Sequence, residues 1–373
     1  MRVLTFVTTG LLTAMTAMAD SSVGTWRVEW GQAWKVRGDL AKGRDLSGAA
    51  SFGEDKALVI SDETRAAQEV SIDRAARTLT AGKQVPLLPG SGPELDLEGV
   101  AALMEPRAYF LVGSQALSRK GGVLEPDRGG LFRLPVDETG APDAGAVTKI
   151  DLRAVLAADA ELKPFVDKSA DENGLDIEGL AGREGVLFLG LRAPVRDGEA
   201  TILSMEVDAL WGGKTALWDG KAASGGGKAA SGGGQAASGS GQAASGGGKA
   251  ASGSGQATVT HHRIALGEGR GIRDLVALAD NAGFLLLAGP SGGGGGGKKS
   301  ALGEAYEFWH WPGPGSPAVR LGPLGPAATS DQAKAEGLLI LSQSSTHIEG
   351  IIFHDGPKNG APHGFRLSPP APR

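Results

Sequence analysis

The six residues Asp176-Ile-Glu-Gly-Leu-Ala, positions 176–181, recur along the chain in five versions. Each version is followed by a short apolar run, such as Val186-Leu-Phe-Leu-Gly-Leu, and then by another β-prone run. Runs of this kind between Gly, Pro and Asp turns are typical of strands. The repeat therefore indicates one supersecondary unit that is used several times. The copies begin at Asp45, Asp96, Asp176, Ile272 and Lys334.

A fourth β-prone segment is visible in three units, at Val147-Thr-Lys-Ile-Asp-Leu, His262-Arg-Ile-Ala-Leu and Val319-Arg-Leu. Four short strands per unit predict an all-β fold, a β-propeller of four-stranded blades. Five repeats are readable, and the chain is also long enough for six blades of ordinary size. A pair of β-sandwiches is the rival architecture. It does not explain why the same motif precedes every apolar run.

The ring is predicted to be closed by an N-terminal strand. The segment Trp26-Arg-Val-Glu-Trp precedes the first motif, and the last unit lacks a fourth strand of its own. Pairing of this segment with the last unit near Ile351 or Phe365 would remove two sheet edges at once. One helical insertion is expected over residues 153–167, where apolar residues recur at helical spacing.

Residues 1–19 have the pattern of a secretory signal peptide, with one positive charge, an uncharged stretch and Ala17-Met-Ala before the cleavage point. We expect cleavage near Ala19, a single propeller domain over residues 20–373, and a periplasmic or secreted protein. The alternative is an uncleaved anchor. Against it, the uncharged stretch is shorter than the roughly 20 residues that a membrane span needs, and no later stretch predicts a span.

Residues 221–256 contain five copies of a seven-residue unit of the form Lys/Gln-Ala-Ala-Ser-Gly-Gly/Ser-Gly. No side chain larger than Ala is available for a helical seam, so a coiled coil is excluded. We expect this heptad array to be a disordered loop between the third and fourth strands of the unit that begins at Asp176. A second glycine-rich loop is expected at residues 291–300.

Composition excludes several classes of function. The chain has 42 acidic and 37 basic residues and a formal net charge of -5, which argues against a nucleic-acid partner. It has no cysteine, so disulfides, thiolate metal sites and a cysteine nucleophile are absent. The six histidines show no ligand spacing such as HExxH. We expect a monomer with a small-molecule or ionic ligand.

The aligned copies place Glu98, Glu178, Asp274 and Glu336 at one position, with Ser47 in the first copy. In a propeller the first strand of each blade lines the central channel, so these carboxylates should converge. A ring of carboxylates needs a hard cation or protons to relieve its repulsion. Calcium accepts six to eight oxygens in flexible geometry and fits such a ring. The alternative is that each carboxylate clamps backbone N–H groups of the neighbouring blade.

Arg192 and Arg273 are the candidate ligand-binding residues. Arg273 lies beside Asp274, and Arg192 ends a second strand, so both are expected near the channel mouth. An arginine there can hold a phosphate or carboxylate with a bidentate fork. The alternative is a pair of salt bridges to the channel carboxylates.

The motifs also resemble a known family. Asp45-Leu-Ser-Gly-Ala-Ala with Val59-Ile-Ser-Asp-Glu, and Gly271-Ile-Arg-Asp-Leu with Leu287-Ala-Gly-Pro, resemble the bacterial family called domain of unknown function 3616. The resemblance covers nearly all of the chain after the leader, outside the two glycine-rich insertions. It implies a β-propeller and no particular activity. A looser similarity links the motif to phytase-like and esterase-like propellers.

Two classes of function follow from these observations. The first is a binding scaffold that uses the channel mouth for a cation or a small ligand. The second, implied by the looser similarity, is a metal-assisted esterase or phosphoesterase. In that case the carboxylates hold the cation, and Arg192 or Arg273 holds the phosphate. Binding is favoured, because no acid/base pair with distinct environments is recognisable.

Overall fold

The computed structural model describes residues 26–117, 122–123, 125–212, 257–292, 306–325 and 334–369. They form five antiparallel sheets, and one edge strand of every sheet borders the same central cavity. The sheets are therefore the blades of a five-bladed β-propeller, which confirms the predicted fold and sets the blade number at five. The predicted leader (1–19), the heptad array (221–256) and most of the glycine-rich loop (293–300 of 291–300) lie outside the described residues.

The first three blades follow one another along the chain, and each is given from its inner strand outward. Blade 1 contains β3 (Leu46–Ala50), β4 (Lys56–Ser61), β5 (Ala66–Asp73) and β6 (Thr78–Pro86), and its outer edge carries β2 (Lys35–Arg37). Blade 2 contains β7 (Leu97–Met104), β8 (Arg107–Gly113), β9 (Gly130–Pro135) and β10 (Thr148–Asp151). Blade 3 contains β11 (Asp176–Arg183), β12 (Val186–Ala193), β13 (Glu199–Glu206) and β14 (Thr260–Ala265).

The last two blades complete the ring. Blade 4 contains β15 (Arg270–Ala277), β16 (Phe284–Pro290), β17 (Glu307–Trp311) and β18 (Val319–Pro323). Blade 5 contains β19 (Lys334–Gln343), β20 (Ile348–Asp355), β21 (His363–Ser368) and, from the other end of the chain, β1 (Arg27–Ala33).

Ring closure by the N-terminal strand is confirmed. β1 pairs antiparallel with β21, and Trp30 lies opposite Phe365. The indole of Trp30 also stacks on Phe308 of blade 4, with ring centroids 6.1 Å apart. The strand therefore supplies the missing edge of blade 5 and packs against the preceding blade at the same time.

The hydrophobic core lies between the blades. Between blades 3 and 4, for example, the rings of Phe188, Phe284 and Trp311 pack together and are nearly inaccessible to solvent. Near the axis the inner strands approach very closely. A Cβ on Gly179 would lie 2.9 Å from the Cβ of Leu275 on the next blade. The glycine of the repeated motif is therefore required by the contact between neighbouring inner strands.

The expected helical insertion between blades 2 and 3 is two short helices, α1 (Leu152–Ala158) and α2 (Lys163–Val166). The helix breaks because the side chain of Asp159 accepts hydrogen bonds from the backbone N–H groups of Glu161 and Leu162. A third helix, α3 (Val207–Gly212), follows β13. β13 and β14 flank the heptad array and are the third and fourth strands of blade 3, as expected.

Short 3-10 turns complete the secondary structure, at Pro126–Gly129, Ala144–Ala146, Ala170–Glu172, Ala279–Asn281 and Lys358–Gly360. Of the residues that the structure describes, none forms a helix with the length and hydropathy that crossing a membrane requires.

Candidate functional site at the channel mouth

Each inner strand contains a β-bulge at the third residue of the repeated motif. The pairing register with the second strand shifts there in all five blades, so one residue per blade has no partner opposite it. A bulge re-aims the side chain that it carries. We call these five residues the bulge ring: Ser47, Glu98, Glu178, Arg273 and Glu336.

The register corrects the alignment of the fourth copy of the motif. The sequence placed Asp274 in line with Glu98, Glu178 and Glu336, but the bulge of blade 4 is at Arg273. Asp274 stands one residue further on, where the other copies have the motif glycine. The ring therefore contains three carboxylates and one guanidinium, and its charges can pair.

A second set of residues borders the bulge ring. Because the second strand of each blade runs antiparallel to the first, its end lies beside the start of the motif. The residue that follows the strand partner of the residue just before the bulge is therefore equivalent in every blade. We call these residues the rim ring: Asp62, Ser114, Arg192, Gly289 and Asp355.

On blades 3 to 5 the charges of the two rings are paired. Arg192 Nη1 lies 2.5 Å from Glu178 Oε1, and Arg273 Nε lies 2.8 Å from Glu178 Oε2. Arg273 also donates to Glu336, and Arg192 Nη1 lies 3.5 Å from Asp176 Oδ2. We call these five residues the arginine side of the mouth. They form a buried network that links three consecutive blades.

Two further members of the motif act as clamps between inner strands. The carboxylate of Asp274 accepts one hydrogen bond from Leu275 N, at 2.7 Å, and one from Leu338 N of blade 5, at 2.6 Å. The hydroxyl of Ser47 donates to the carbonyl oxygen of Leu97 on blade 2, at 2.5 Å. The clamp alternative therefore describes the contacts of Asp274, whereas Glu178 and Glu336 make ion pairs.

On blades 1 and 2 only one of the three carboxylates that meet has an arginine partner. Asp62, Asp96 and Glu98 each place one oxygen within 4.8 Å of the others, and we call them the carboxylate side. Asp96 accepts from Ser114 and, at 3.2 Å, from Arg128 Nη1. Among the described residues, Glu98 has no hydrogen-bond or ion-pair partner, and the buried Oδ1 of Asp62 has none.

The local backbone holds the carboxylate side together. Asp96 N donates to the carbonyl oxygen of Asp62, at 3.0 Å, which ties blade 2 to blade 1. Asp96 has φ of +52°, in the left-handed region that aspartate tolerates better than most residues. Non-glycine residues in this region are enriched at functional sites.

Burial is the largest cause of the pKa shifts of the carboxyl groups at the mouth. It raises the pKa of Asp62 to about 8, and the negative charge of Asp96 adds to the shift. It raises the pKa of Glu98 well above its usual range, with Glu178 contributing further. On the arginine side burial raises the pKa of Asp176 and of Glu336 to about 7, while Arg192 and Arg273 oppose the shift. Neutral carboxyls or a bound cation satisfy such a site.

Sequence reasoning selected neither Asp62 nor Asp96 as a site residue. The signal for Asp62 was present, because it ends a second strand as Arg192 does. Asp96 could have been selected because it lies two residues before Glu98, at the start of the same strand. No sequence pattern shows that Asp62 and Asp96 face each other across a blade boundary.

Beyond the charged mouth the channel is neutral. The inner strands enclose a cavity of about 170 Å³, lined by small and apolar residues from the last part of the motif and just after it. No charged residue lines this cavity among the described parts of the chain. The lining includes Ala49, Val100, Leu180, Leu275 and Leu339. The charged residues of the mouth therefore lie outside this cavity.

The family described as Protein of unknown function (DUF3616) matches residues 139–297. This match confirms the resemblance seen in the sequence over that part of the chain, which runs from the end of blade 2 into blade 4. No curated protein matches the sequence.

Solved structures with a similar arrangement of strands have low sequence identity. The periplasmic gluconolactonase PpgL of Pseudomonas aeruginosa is 11% identical, with a TM-score of 0.36, over 88% of this chain and 76% of that one. Virginiamycin B lyase of Staphylococcus aureus is 7% identical, with a TM-score of 0.35, over 92% and 99%. A putative 6-phosphogluconolactonase of Bacteroides fragilis is 10% identical, with a TM-score of 0.37, over 92% and 99%. No activity is transferred to this chain at these identities.

Proposed function

We propose that the protein is a binding propeller that holds a hard divalent cation, Ca²⁺, on the carboxylate side of its channel mouth. The observation that carries the proposal is the meeting of Asp62, Asp96 and Glu98 from two blades, with their oxygens within 4.8 Å of one another. Carboxylate oxygens are the ligands that calcium prefers, and its flexible coordination leaves further positions for water or a ligand.

The charge balance of the mouth supports this assignment. Glu178 and Glu336 have arginine partners, so they are compensated without a cation. Oδ1 of Asp62 is buried without a hydrogen-bond partner among the described residues, and Glu98, which is partly buried, has no ion-pair partner among them. A buried carboxylate without a partner is costly, and a bound cation removes that cost. Of the four metal ligands expected from the sequence, the proposal therefore keeps Glu98, and it adds Asp62 and Asp96.

We also propose that the protein works outside the cytoplasm, in the periplasm or the medium. The support is the leader pattern of residues 1–19, with its cleavage motif at Ala17-Met-Ala. Calcium sites of extracellular modules bind in the range of about 10⁻⁴ to 10⁻³ M. N-terminal sequencing of the exported protein tests this point, with a start at Asp20 as the expected result and an intact Met1 as the contrary one.

The cation is tested by calorimetric titration of calcium into chelator-treated protein. We expect one saturable site with a Kd of about 10⁻⁵ to 10⁻³ M. Glu98→Gln should abolish it, because the amide lacks the negative charge. The matched control is Glu349→Gln, which changes a half-exposed glutamate of blade 5 that pairs with Arg366. Absence of saturable binding, or equal binding by Glu98→Gln, would overturn the proposal.

Hydrolysis, the alternative from the sequence, stays a prediction. It requires an arginine to hold the phosphate, a cation with an open position and a base within reach. The structure gives Arg192 and Arg273 carboxylate partners and identifies no separate base among the described residues. A phosphomonoester screen with and without calcium tests it. Calcium-dependent turnover that disappears in Glu98→Gln would establish the enzyme.

A further inference from the structure

We propose that the ligand of this mouth is a small molecule with an oxyanion group, a carboxylate or a phosphate, bound by Arg192 and Arg273. The inference rests on the proposed function in placing the ligand at the channel mouth. It does not require that calcium be bound. It adds to the proposed function the chemical class of the ligand and the arginine donors that bind it.

Glu178 holds the two guanidinium groups close together. Its Oε1 contacts Arg192 of its own blade, and its Oε2 contacts Arg273 of the next blade. One carboxylate therefore lies between two positive charges. The arrangement fixes both arginines at one point of the mouth, where a second anion can contact both of them.

Each arginine keeps one donor group unused. Arg192 uses Nη1 for Glu178 and Nε for the carbonyl oxygen of Ser291, while Nη2 has no acceptor among the described residues. Arg273 donates from Nη2 to Glu336 and forms an ion pair with Glu178 through Nε, and its Nη1 likewise has no acceptor in that part of the chain. Neither group is among the fully buried unpartnered atoms, so each keeps some contact with solvent.

Both guanidinium groups are already ordered. The side chain of Arg273 is 4% exposed and that of Arg192 is 16% exposed. Gly292, with φ of +81°, lies against Nη2 of Arg192, and a Cβ there would collide with it. Because residue 292 is a glycine, it places no side chain against Nη2. Donors that are fixed before binding lose little entropy when the ligand arrives.

The chemistry of these donors selects the ligand class. Planar N–H pairs of arginine match the two oxygens of a carboxylate or the oxygens of a phosphate. Hydrogen bonds between charged groups in a partly buried site are stronger than in water. A neutral ligand would gain less from the same donors, and an ammonium group would be repelled by them. The geometry therefore favours an oxyanion over both.

The test uses two probes, methylphosphonate and acetate, titrated into the full protein with calcium and again with chelator. We expect saturable binding of at least one probe, with the two competing for one site. Arg192→Gln should weaken it by at least about tenfold, because it removes a charged hydrogen-bond donor. The control is Arg320→Gln, which alters a half-exposed arginine of blade 4 and should leave binding unchanged.

A second variant keeps the test valid if Arg192→Gln fails to fold. Arg192→Lys retains the charge beside Glu178 but loses the planar fork, so it should fold and still bind the probes more weakly. Unchanged binding by Arg192→Lys or Arg192→Gln, or no binding of either probe, would overturn the inference. Calcium binding without probe binding would leave the proposed function standing. Probe binding in chelator would support the inference even where calcium binding fails.

Discussion

The two sides of the channel mouth use the same motif positions, but they differ in how the charges of their carboxylates are compensated. On the arginine side, Glu178 and Glu336 are joined by Arg273 into a network across three blades. On the carboxylate side, Glu98 occupies the same bulge position and meets Asp62 and Asp96 instead. This difference shows that a repeated motif determines where a side chain points. The neighbours that vary from blade to blade determine what it can bind.

The largest expected effect is on the arginine side. Arg273→Met should lower the free energy of unfolding by about 3–5 kcal/mol, because it leaves buried Glu336 without its arginine partner and Glu178 with only one. Urea denaturation measures it. Arg320→Met, at a half-exposed ion pair, should cost less than about 1 kcal/mol. A loss from Arg273→Met as small as that of the control would mean that the network does not stabilise the ring.

The second effect separates the two sides by their response to calcium. At a calcium concentration of 100 times Kd, the protein should gain about 2.7 kcal/mol by mass action, seen as a higher melting temperature. Glu98→Gln should lose this gain. Glu178→Gln should keep it, although that variant starts from lower stability because two arginines lose a charged partner. Loss of the calcium response in Glu178→Gln alone would reverse the assignment of the sides.

The third effect is a dependence of stability on pH in calcium-free protein. The folded-state pKa values of Asp176 and Glu336, about 7, and of Asp62, about 8, lie above their usual values near 4. A carboxyl with a raised folded-state pKa favours folding while it is protonated. Stability should therefore fall as pH rises from about 4 to 8, by up to about 1.4 kcal/mol per pH unit for each group.

The two sides of the mouth should stop contributing to this fall in stability at different pH values. The contribution of the arginine side should end near pH 7, and that of Asp62 should continue to about pH 8. Asp62→Asn should therefore reduce the slope from about pH 4 to 8, and the reduction should be proportionally largest between pH 7 and 8, where the arginine side no longer contributes. Denaturant midpoints across this pH range measure it. A curve that rises with pH would contradict the burial of these carboxyls.

The smallest effect is expected from the heptad array. Deleting residues 221–256 should leave the melting temperature nearly unchanged, because loop closure changes by only about 0.6 kcal/mol per doubling of length. The flanking strands β13 and β14 are paired without it. Calcium binding by the deleted protein should also be unchanged. A protein that no longer folds would show that the array contributes to the propeller.

The sequence was sufficient for the fold because the repeat encodes it locally. Strand runs, turn residues and the motif glycine recur in every blade, and the unpaired Trp26–Trp30 segment pointed to ring closure. The candidate site was harder to predict from the sequence than the fold. In the fourth copy Asp274 replaces the glycine, so alignment by residue type selected it over Arg273. Only the pairing register locates the bulge.

The pairing of charges depended on contacts between blades. Arg192 reaches Glu178 within its own blade, but Arg273 reaches both Glu178 and Glu336 on the blades beside it. These residues are 63 to 95 positions apart in the sequence, and the repeat does not show which of them pair. The residues that line the mouth were therefore largely predictable, and the division into two sides was not.

The closure of blade 5 has a mechanical consequence. Arg27 and Ser368 face each other at one end of the β1–β21 ladder. A force that pulls these two residues apart acts on the hydrogen bonds one after another, as in opening a zipper, and not on all of them together. The ring should then open at a low force, at this seam, while the other four blades stay intact. A covalent staple between positions 27 and 368 would move the weakest point elsewhere.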